Sequence, residues 1–345
     1  MKAWIGSACC LPLLLASLTA SGQSNDDCLM CHSDRGLTAS KRGKVISLFV
    51  DAAQLQRSVH GSLSCIDCHP GLNPSETPHA RVIRPVDCQQ CHDAGSYQKS
   101  VHGRPVIGPD GKAIRASAAG CKDCHGTHEV LPHTDGKSSV NRSRIAHTCG
   151  SCHQSVQSHY ARSAHGIALD KGVKGSPSCV DCHGEHDIEL VASKDSPVSK
   201  AREARTCMRC HLDDPEIRQR TAPSAGFIAG YESSVHGVAV ASGNEKAASC
   251  SDCHGAHDMK RRSDPTSSVN KWHVAQTCGK CHGEISTEYG ESIHGTALQW
   301  EPQNLHPART ATASIRSSPQ AIPGRGWRRP MSPRRFAPPV TRRSP

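Results

Sequence analysis

Residues 163–186 read SAHGIALDKGVKGSPSCVDCHGEH, and the order of histidine and cysteine in this stretch recurs along most of the chain. The stretch contains an S-x-H-G tetrapeptide, then a C-x-D-C-H pentapeptide, and then a further histidine, His186. Self-similarity at a regular period is typical of tandem modules that stack on their neighbours. The sequence therefore predicts repeated modules rather than one large domain with scattered sites.

Eighteen of the 20 cysteines belong to nine C-x-x-C-H motifs. The odd-numbered motifs begin 60, 61, 58 and 71 residues apart, and only the even-numbered ones carry an aspartate before the second cysteine. In chain order the nine motifs are Cys28-Cys31-His32, Cys65-Cys68-His69, Cys88-Cys91-His92, Cys121-Cys124-His125, Cys149-Cys152-His153, Cys179-Cys182-His183, Cys207-Cys210-His211, Cys250-Cys253-His254 and Cys278-Cys281-His282.

A second set of histidines keeps the same period. An S-x-H-G segment follows every odd-numbered motif and supplies His60, His102, His165, His236 and His294. A trailing histidine follows every even-numbered motif, and these are His79, His128, His186 and His257.

The C-x-x-C-H motif is typical of covalent haem attachment. Its two thiols form thioethers to one porphyrin, and the adjacent histidine becomes the proximal ligand of the iron. A redox dithiol, a disulfide and a zinc site are the alternatives. Zinc sites use C-x-x-C pairs in twos, whereas nine is odd, and a dithiol needs no histidine beside every second cysteine. The sequence therefore predicts nine haems c.

A six-coordinate haem needs a second axial ligand, which in multihaem proteins is usually another histidine. The S-x-H-G and trailing histidines number nine, which matches the nine predicted haems. We therefore predict that the eighteen motif cysteines hold the cofactor and that both sets of histidines, proximal and distal, bind iron.

The trailing histidines are under a geometric constraint. His128 lies three residues after His125, so on a helical turn both side chains point to one side. We expect His128 to reach a neighbouring haem and so to hold adjacent modules together, but the residues leave the individual pairings open. The five remaining histidines are interpreted as solvated or hydrogen-bonded, and they are His133, His147, His159, His273 and His306. Of these, His147 and His273 are reserve candidates for ligands.

The expected fold class is mainly α with little regular secondary structure, built from tandem haem-binding modules stacked around a haem chain, with one small β-hairpin near the N-terminus. Helices should carry the motifs and the S-x-H-G segments, for example Ala52 to His60. Lys44 to Asp51 is the expected strand, and Val106 to Ala118 a connector. The motif aspartate is interpreted as a helix cap. The glycine of S-x-H-G is expected to let the backbone pass close to a porphyrin face.

Composition supports a cofactor-filled interior, because aromatic residues make up only 3% of the chain. A chain this poor in large apolar side chains cannot by itself bury enough surface to offset its ordering entropy. The net charge of +10 resides mainly in the last 47 residues, so the composition does not favour a nucleic-acid partner.

Three segments differ in character. Residues 1–22 are typical of a secretory signal, with Lys2, a short apolar run and small residues before a cleavage site after Gly22. Residues 23–298 form the predicted nonahaem region. Residues 299–345 contain nine arginines, no lysine and a single acidic residue, and we interpret them as a disordered or frameshifted tail.

Taken together, these residues resemble the periplasmic multihaem cytochromes c with doubled C-x-x-C-H motifs. The matching elements are the repeat from Ser58 to Gly295 and the opening Cys28 to His60, with S-L-F-V-D at 47–51. The resemblance implies a periplasmic chain of bis-histidine haems. It also implies redox partners, namely a membrane quinol dehydrogenase or b-type cytochrome and a periplasmic or outer-membrane acceptor. Membrane association would come only through a partner or a lost C-terminal domain.

Two functions from different classes fit this sequence. An electron carrier without a substrate of its own is favoured, because nine candidate distal ligands leave no iron open. A reductase of a small nitrogen or sulfur oxyanion would need one open haem. A scaffold subunit that connects a partner enzyme to the membrane is a third, weaker alternative.

Overall fold

The computed structural model describes residues 24–41, 43–79, 83–115, 118–221, 226 and 228–304. The chain divides into two compact units, residues 1–292 and 293–345. The predicted signal segment with its cleavage site, and the tail from residue 305 onward, lie outside the described residues. The helix Ile293–Asn304 continues across the predicted boundary between residues 298 and 299.

The even-numbered motifs each begin a short helix at their first cysteine. At the third helical position Asp181 accepts a hydrogen bond of 2.6 Å from the backbone N–H of Ser178, the residue before the helix. The same reciprocal cap joins Asp252 to Ser249 and Asp67 to Ser64, so the aspartate is confirmed as a cap. These helices are Cys65–Cys68, Cys121–His125, Cys179–His183 and Cys250–His254.

Four of the odd-numbered motifs instead begin inside a helix, near its C-terminal end, and the third begins a 3₁₀ turn at Cys88. A threonine before the first cysteine fixes three of them, and Thr148 Oγ1, for example, donates to the Ser139 carbonyl nine residues earlier at 2.6 Å. The elements are the helices Asn25–His32, Ile145–Gly150, Glu203–His211 and Val274–Gly279 and the 3₁₀ turn Cys88–Gln90.

In three of the five S-x-H-G segments the residues after the serine form the first turn of a helix, and the other two segments lie outside helices. The helix predicted from Ala52 to His60 ends at Arg57, because Ser58 is extended with φ −70° and ψ 161°. The helices before these segments are Ala52–Arg57, Gly95–Lys99, Gln154–Ala161 and Gly283–Glu291, and those that begin after the serine are Ala164–Asp170, Val235–Ala241 and Ile293–Asn304. A further helix is Pro215–Arg220.

The serine and the glycine of S-x-H-G both have a structural role. Ser163 is buried, and its Oγ accepts a hydrogen bond of 3.0 Å from the Gly166 N–H. A Cβ on Gly166 would lie 2.0 Å from the Tyr160 carbonyl oxygen, and Gly103 and Gly237 are equally close to the carbonyl six residues earlier. The close approach that requires glycine here is to the backbone of the preceding segment, and the approach to a porphyrin face stays a prediction.

A repeated tyrosine, overlooked in the sequence, fixes the same segment. The Tyr160 hydroxyl donates to the Pro177 carbonyl at 2.6 Å, and Tyr231 donates likewise to the Ala248 carbonyl at 2.9 Å. Each of these carbonyls lies just before the helix of the next even-numbered motif. The fixed spacing of five residues to the S-x-H-G histidine was the signal available, and all four tyrosines share it: Tyr97, Tyr160, Tyr231 and Tyr289.

Two antiparallel hairpins are the only sheets among the described residues. The predicted hairpin pairs Thr38–Lys41 with Lys44–Ser47, and its second strand is shorter than predicted because the Val50 N–H donates to the His32 carbonyl. The connector predicted at Val106 to Ala118 contains a second hairpin, which was not predicted, with strands Val106–Ile107 and Ala113–Arg115.

Apolar side chains make almost no core of their own. Within the described residues only Ile145, Met208 and Val240 are buried hydrophobic residues. The largest fully buried side chains are all serines, among them Ser163 and Ser196. Fully burying one large aliphatic side chain contributes about 1.5–3 kcal/mol to stability. The stabilisation from these buried apolar side chains is therefore small for a chain of this length. The fold class is confirmed as mostly helical, with little regular secondary structure.

Substitution of Gly166 tests the close approach between the two helices. We expect Gly166→Ala to lower the denaturant midpoint of the full protein, because its Cβ would overlap the Tyr160 carbonyl. Gly283→Ala is the matched control, since a Cβ there meets no atom within 4 Å. Unfolding is monitored by circular dichroism. Equal denaturant midpoints for the two variants would contradict the close approach of Gly166 to the Tyr160 carbonyl.

Removal of the Tyr160 hydroxyl tests the link to the next motif. Tyr160→Phe should lower the free energy of unfolding by about 0.5–1.5 kcal/mol, which is the usual net contribution of one hydrogen bond. Tyr289→Phe is the control, because the Tyr289 hydroxyl has no hydrogen-bond partner among the described residues. A larger loss of unfolding free energy in Tyr289→Phe than in Tyr160→Phe, measured by chemical denaturation, would contradict this link.

Candidate functional site

The structure brings sixteen of the eighteen predicted histidines together in pairs, each of which joins a motif histidine to a distal candidate. The pairs, with the distances between ring centroids, are His32–His79 (6.4 Å), His60–His92 (5.9 Å), His69–His128 (6.3 Å), His102–His153 (6.2 Å), His125–His186 (5.9 Å), His165–His211 (5.9 Å), His183–His257 (5.9 Å) and His236–His282 (6.1 Å).

The pairs follow a rule that the sequence left open. Four of the five S-x-H-G histidines lie opposite the next odd-numbered motif, as His165 does with His211. A trailing histidine lies opposite the even-numbered motif two places earlier, so His128 faces His69 rather than its neighbour His125. The first motif is the exception, because the trailing His79 faces His32. Every pair therefore joins different modules or motifs.

The spacing within each pair suits a metal between the rings. An iron with two trans imidazoles and metal–nitrogen bonds of about 2.0 Å separates the ring centroids by roughly 6 Å. All eight observed distances lie between 5.9 and 6.4 Å. Direct stacking of two imidazoles would instead allow a much closer approach. The histidines present therefore fit haem iron, and the two thiols beside each motif histidine fit the porphyrin edge.

The electrostatics favour the neutral, metal-binding form of several of these imidazoles. Burial, and then the neighbouring His211, lowers the pKa of His165 to about 4, so this ring is neutral at pH 7. Only a neutral imidazole offers a lone pair to a metal. The pKa is also lowered, chiefly by burial, at His69, His102, His125, His128, His183, His211, His254 and His257.

One proximal histidine has its second nitrogen fixed by the backbone. His32 Nδ1 lies 2.7 Å from the Leu48 carbonyl oxygen, which is just beyond the first hairpin. A proton on Nδ1 leaves Nε2 free for iron, and such a bond fixes the orientation of the ring. The hairpin near the N-terminus thus positions the first site.

The cysteines form a continuous row in the order of the sequence. We call the place where two consecutive motifs meet a junction. At the first junction the first cysteines of the two motifs, Cys28 and Cys65, are in side-chain contact. At the second junction Cys68 lies within electrostatic range of Cys88. The remaining junctions alternate in the same way, through Cys88–Cys121, Cys124–Cys149, Cys149–Cys179, Cys182–Cys210, Cys207–Cys250 and Cys253–Cys278. None of the eighteen described cysteines forms a disulfide, so all are available for thioethers.

Backbone hydrogen bonds hold neighbouring modules in this register. The residue between the serine and histidine of S-x-H-G donates its N–H to a carbonyl two residues after a trailing histidine of the next module. The bonds are Val59 N–H to Val130 O (2.8 Å), Val101 N–H to Ile188 O (2.8 Å) and Ala164 N–H to Met259 O (2.7 Å). Each bond accompanies one trailing-histidine pair, so backbone and imidazole together form one inter-module contact.

The other histidines are not brought into pairs. No imidazole pairs with His254 within the described residues up to 292, and His294, which is exposed on the helix Ile293–Asn304, is not placed in a ring pair. The reserve ligand His273 lies 2.9 Å from the Pro265 carbonyl, whereas His306 lies outside the described residues. His133, His147 and His159 also form no ring pair with another described residue.

Comparison with known proteins finds a distant relative. The chain is 25% identical over 266 residues to the multiheme cytochrome MtrA of Shewanella baltica (strain OS185), a match that covers 76% of this chain. The match covers 54% of that protein, so the chain spans about half the length of its curated relative. No protein-family model and no solved structure matches the chain. The resemblance to multihaem c-type cytochromes that the motifs indicated is thereby confirmed.

Proposed function

We propose that this protein is an electron-transfer cytochrome that carries nine covalently attached haems c. The observation that carries the proposal is the set of eight imidazole pairs, each spaced for one iron and each beside two free thiols. The distant likeness to a multihaem cytochrome supports the same role. The motif cysteines hold the porphyrins, and both histidines of each pair are axial ligands.

The proposed path for electrons runs through the motifs in the order of the sequence. Thiols of consecutive motifs are in side-chain contact at four of the eight junctions, for example at Cys149 and Cys179, and within electrostatic range at the other four. Thioethers at these positions would place the edges of consecutive porphyrins next to each other. A row of adjoining cofactors, and not one isolated site, is the arrangement that long-range electron transfer requires.

The pairs favour a carrier over an enzyme. An iron with two axial histidines has no free position for a substrate, and eight of the nine proposed sites have both histidines. A haem held by these pairs would supply reversible one-electron chemistry, and the paired histidines would orient it. The reductase alternative would need an iron with one axial position left open.

We propose a periplasmic location and redox proteins as partners. Covalent haem attachment takes place outside the cytoplasm, and the predicted signal segment suits export. Among the described residues, no helix has the length and apolar character needed to span a bilayer. The proposed partners are a membrane quinol dehydrogenase or b-type cytochrome and an acceptor in the periplasm or outer membrane.

The haem count is the direct test of the proposal. The intact protein, purified after maturation, should contain nine haems per chain by pyridine haemochrome assay and by intact mass. Treatment with denaturant should release none of them, because the thioether bonds are covalent. A stoichiometry of eight or fewer, with thiols still free to alkylation, would contradict nine attached haems.

Substitution of one distal candidate tests the pairing. His165→Ala should convert the haem of His211 from low spin to high spin and create one site that binds carbon monoxide, because the iron loses its sixth ligand. His147→Ala is the control, since His147 forms no ring pair, and its spectra should match the unmodified protein. Unchanged spin states by EPR in His165→Ala would count against ligation by this residue.

A further inference from the structure

Two pairs of neighbouring motifs pack through their helices. In each pair the helix of an odd-numbered motif contacts the helix of the next even-numbered motif, and the first cysteines of the two motifs are in side-chain contact. The paired helices are Ile145–Gly150 with Cys179–His183, and Glu203–His211 with Cys250–His254. Each pair therefore brings two of the proposed haem attachment sites side by side.

A basic side chain bridges each of these pairs, from a position seven residues before the first cysteine of the odd-numbered motif. The Arg142 guanidinium makes two contacts with the Asp181 carboxylate, at 3.1 and 3.2 Å, and donates to the Ser176 carbonyl at 2.5 Å. Lys200 occupies the same position before the seventh motif and forms an ion pair with Asp252. Both acceptors are the capping aspartates of C-x-D-C-H, so each bridge ends on the helix that carries the next motif.

A second contact joins the seventh and eighth motifs. Glu203 is the first residue of its helix, and its carboxylate accepts hydrogen bonds from the N–H and from the hydroxyl of Ser251, the latter at 2.7 Å. Ser251 lies in the first turn of the helix Cys250–His254, where backbone N–H groups need acceptors from outside the helix. The odd-numbered helix therefore holds the first turn of the even-numbered helix through side chains of both charges.

Neighbouring arginines show that the bridge is specific to its position. Arg144 and Arg202 each lie two residues after a bridging residue. Arg144 donates to the Gly136 carbonyl at 2.9 Å, and Arg202 donates to the Asp195 carbonyl at 3.1 Å. Both acceptors lie in the arginine's own segment, seven or eight residues earlier. Contact with the next motif is thus a property of the bridging position, and not of every basic side chain in these segments.

The bridge also places positive charge beside a proposed redox centre. Asp181 immediately precedes Cys182, one of the two thiols proposed to hold the sixth porphyrin. A carboxylate at this place favours the oxidised iron, which carries the greater positive charge, and an adjacent cation offsets that effect. The side chains of Arg142 and Asp181 are 48% and 28% exposed, so this ion pair contributes little to stability. The reduction potential is therefore the quantity on which the bridge should act.

We propose that Arg142 and Lys200 are positioning residues of the electron path. Each holds one proposed haem site against the next, and each raises the reduction potential of the haem at the even-numbered motif by offsetting the charge of its aspartate. This proposal rests on the proposed haem attachment. It assigns a role in electron transfer to residues that lie outside all nine motifs and outside both sets of ligand histidines.

Redox titration of the full-length holoprotein, followed by optical absorbance, tests the proposal. Arg142→Gln should shift one of the nine one-electron steps to lower potential, because the Asp181 carboxylate is no longer offset. Arg142→Lys should restore that step, since a lysine makes the equivalent contact at position 200. Arg144→Gln is the matched control and should leave all nine steps in place. An unshifted titration in Arg142→Gln, or the same shift in Arg144→Gln, would overturn the proposal.

A double-mutant cycle separates charge from packing. Asp181→Asn should shift the same step to higher potential, and its combination with Arg142→Gln should return that step close to its original position. Shifts that simply add would overturn the pairing.

The second bridge keeps the proposal testable if a variant at the first one fails to fold. Lys200→Gln should lower the potential of one step, Lys200→Arg should restore it, and Arg202→Gln is the control. The haem content of every variant is measured alongside the titration. Fewer than nine haems in the unmodified protein would contradict the proposed function, whereas nine haems with unshifted steps in both bridge variants would contradict the positioning role alone.

Discussion

The contact on which the structure depends is the opposition of two imidazoles about 6 Å apart, one from a C-x-x-C-H motif and one from a different module. His69 and His128 are separated by 59 residues of sequence, yet one iron between them would bind both. The modules are therefore interlocked rather than strung side by side. Backbone bonds such as Val59 N–H to Val130 O align the same module pairs and keep the rings at this distance. Stability in such an array is shared between neighbours.

This dependence explains a composition that would otherwise not support a folded protein. Few apolar side chains are buried, and the most deeply buried side chains are serines that bond to nearby backbone. The Ser163 hydroxyl accepts a hydrogen bond from the Gly166 N–H. The capping aspartates accept hydrogen bonds from N–H groups at the start of the motif helices. These bonds fix short helices locally but contribute little net free energy each. In the proposed holoprotein the porphyrins supply the missing apolar surface, and the axial bonds connect distant parts of the chain.

The same arrangement separates the functional alternatives. In the proposed holoprotein, eight irons that each have two histidine ligands would favour conduction, because no substrate can reach a metal with two protein ligands.

The sequence by itself determined the class of cofactor that this chain is suited to hold. The spacing of cysteine and histidine in each motif predicted the haem attachment sites, the period predicted the modules, and the aspartate of C-x-D-C-H was recognisable as a cap because capping is a local interaction. Only the tertiary structure decided which distal histidine meets which motif, since those contacts span 32 to 74 residues and depend on how modules overlap. It also decided the roles of the S-x-H-G glycine and of the repeated tyrosines. Their partners are backbone carbonyls, such as those of Tyr160 and Pro177, and a carbonyl carries no signature in sequence.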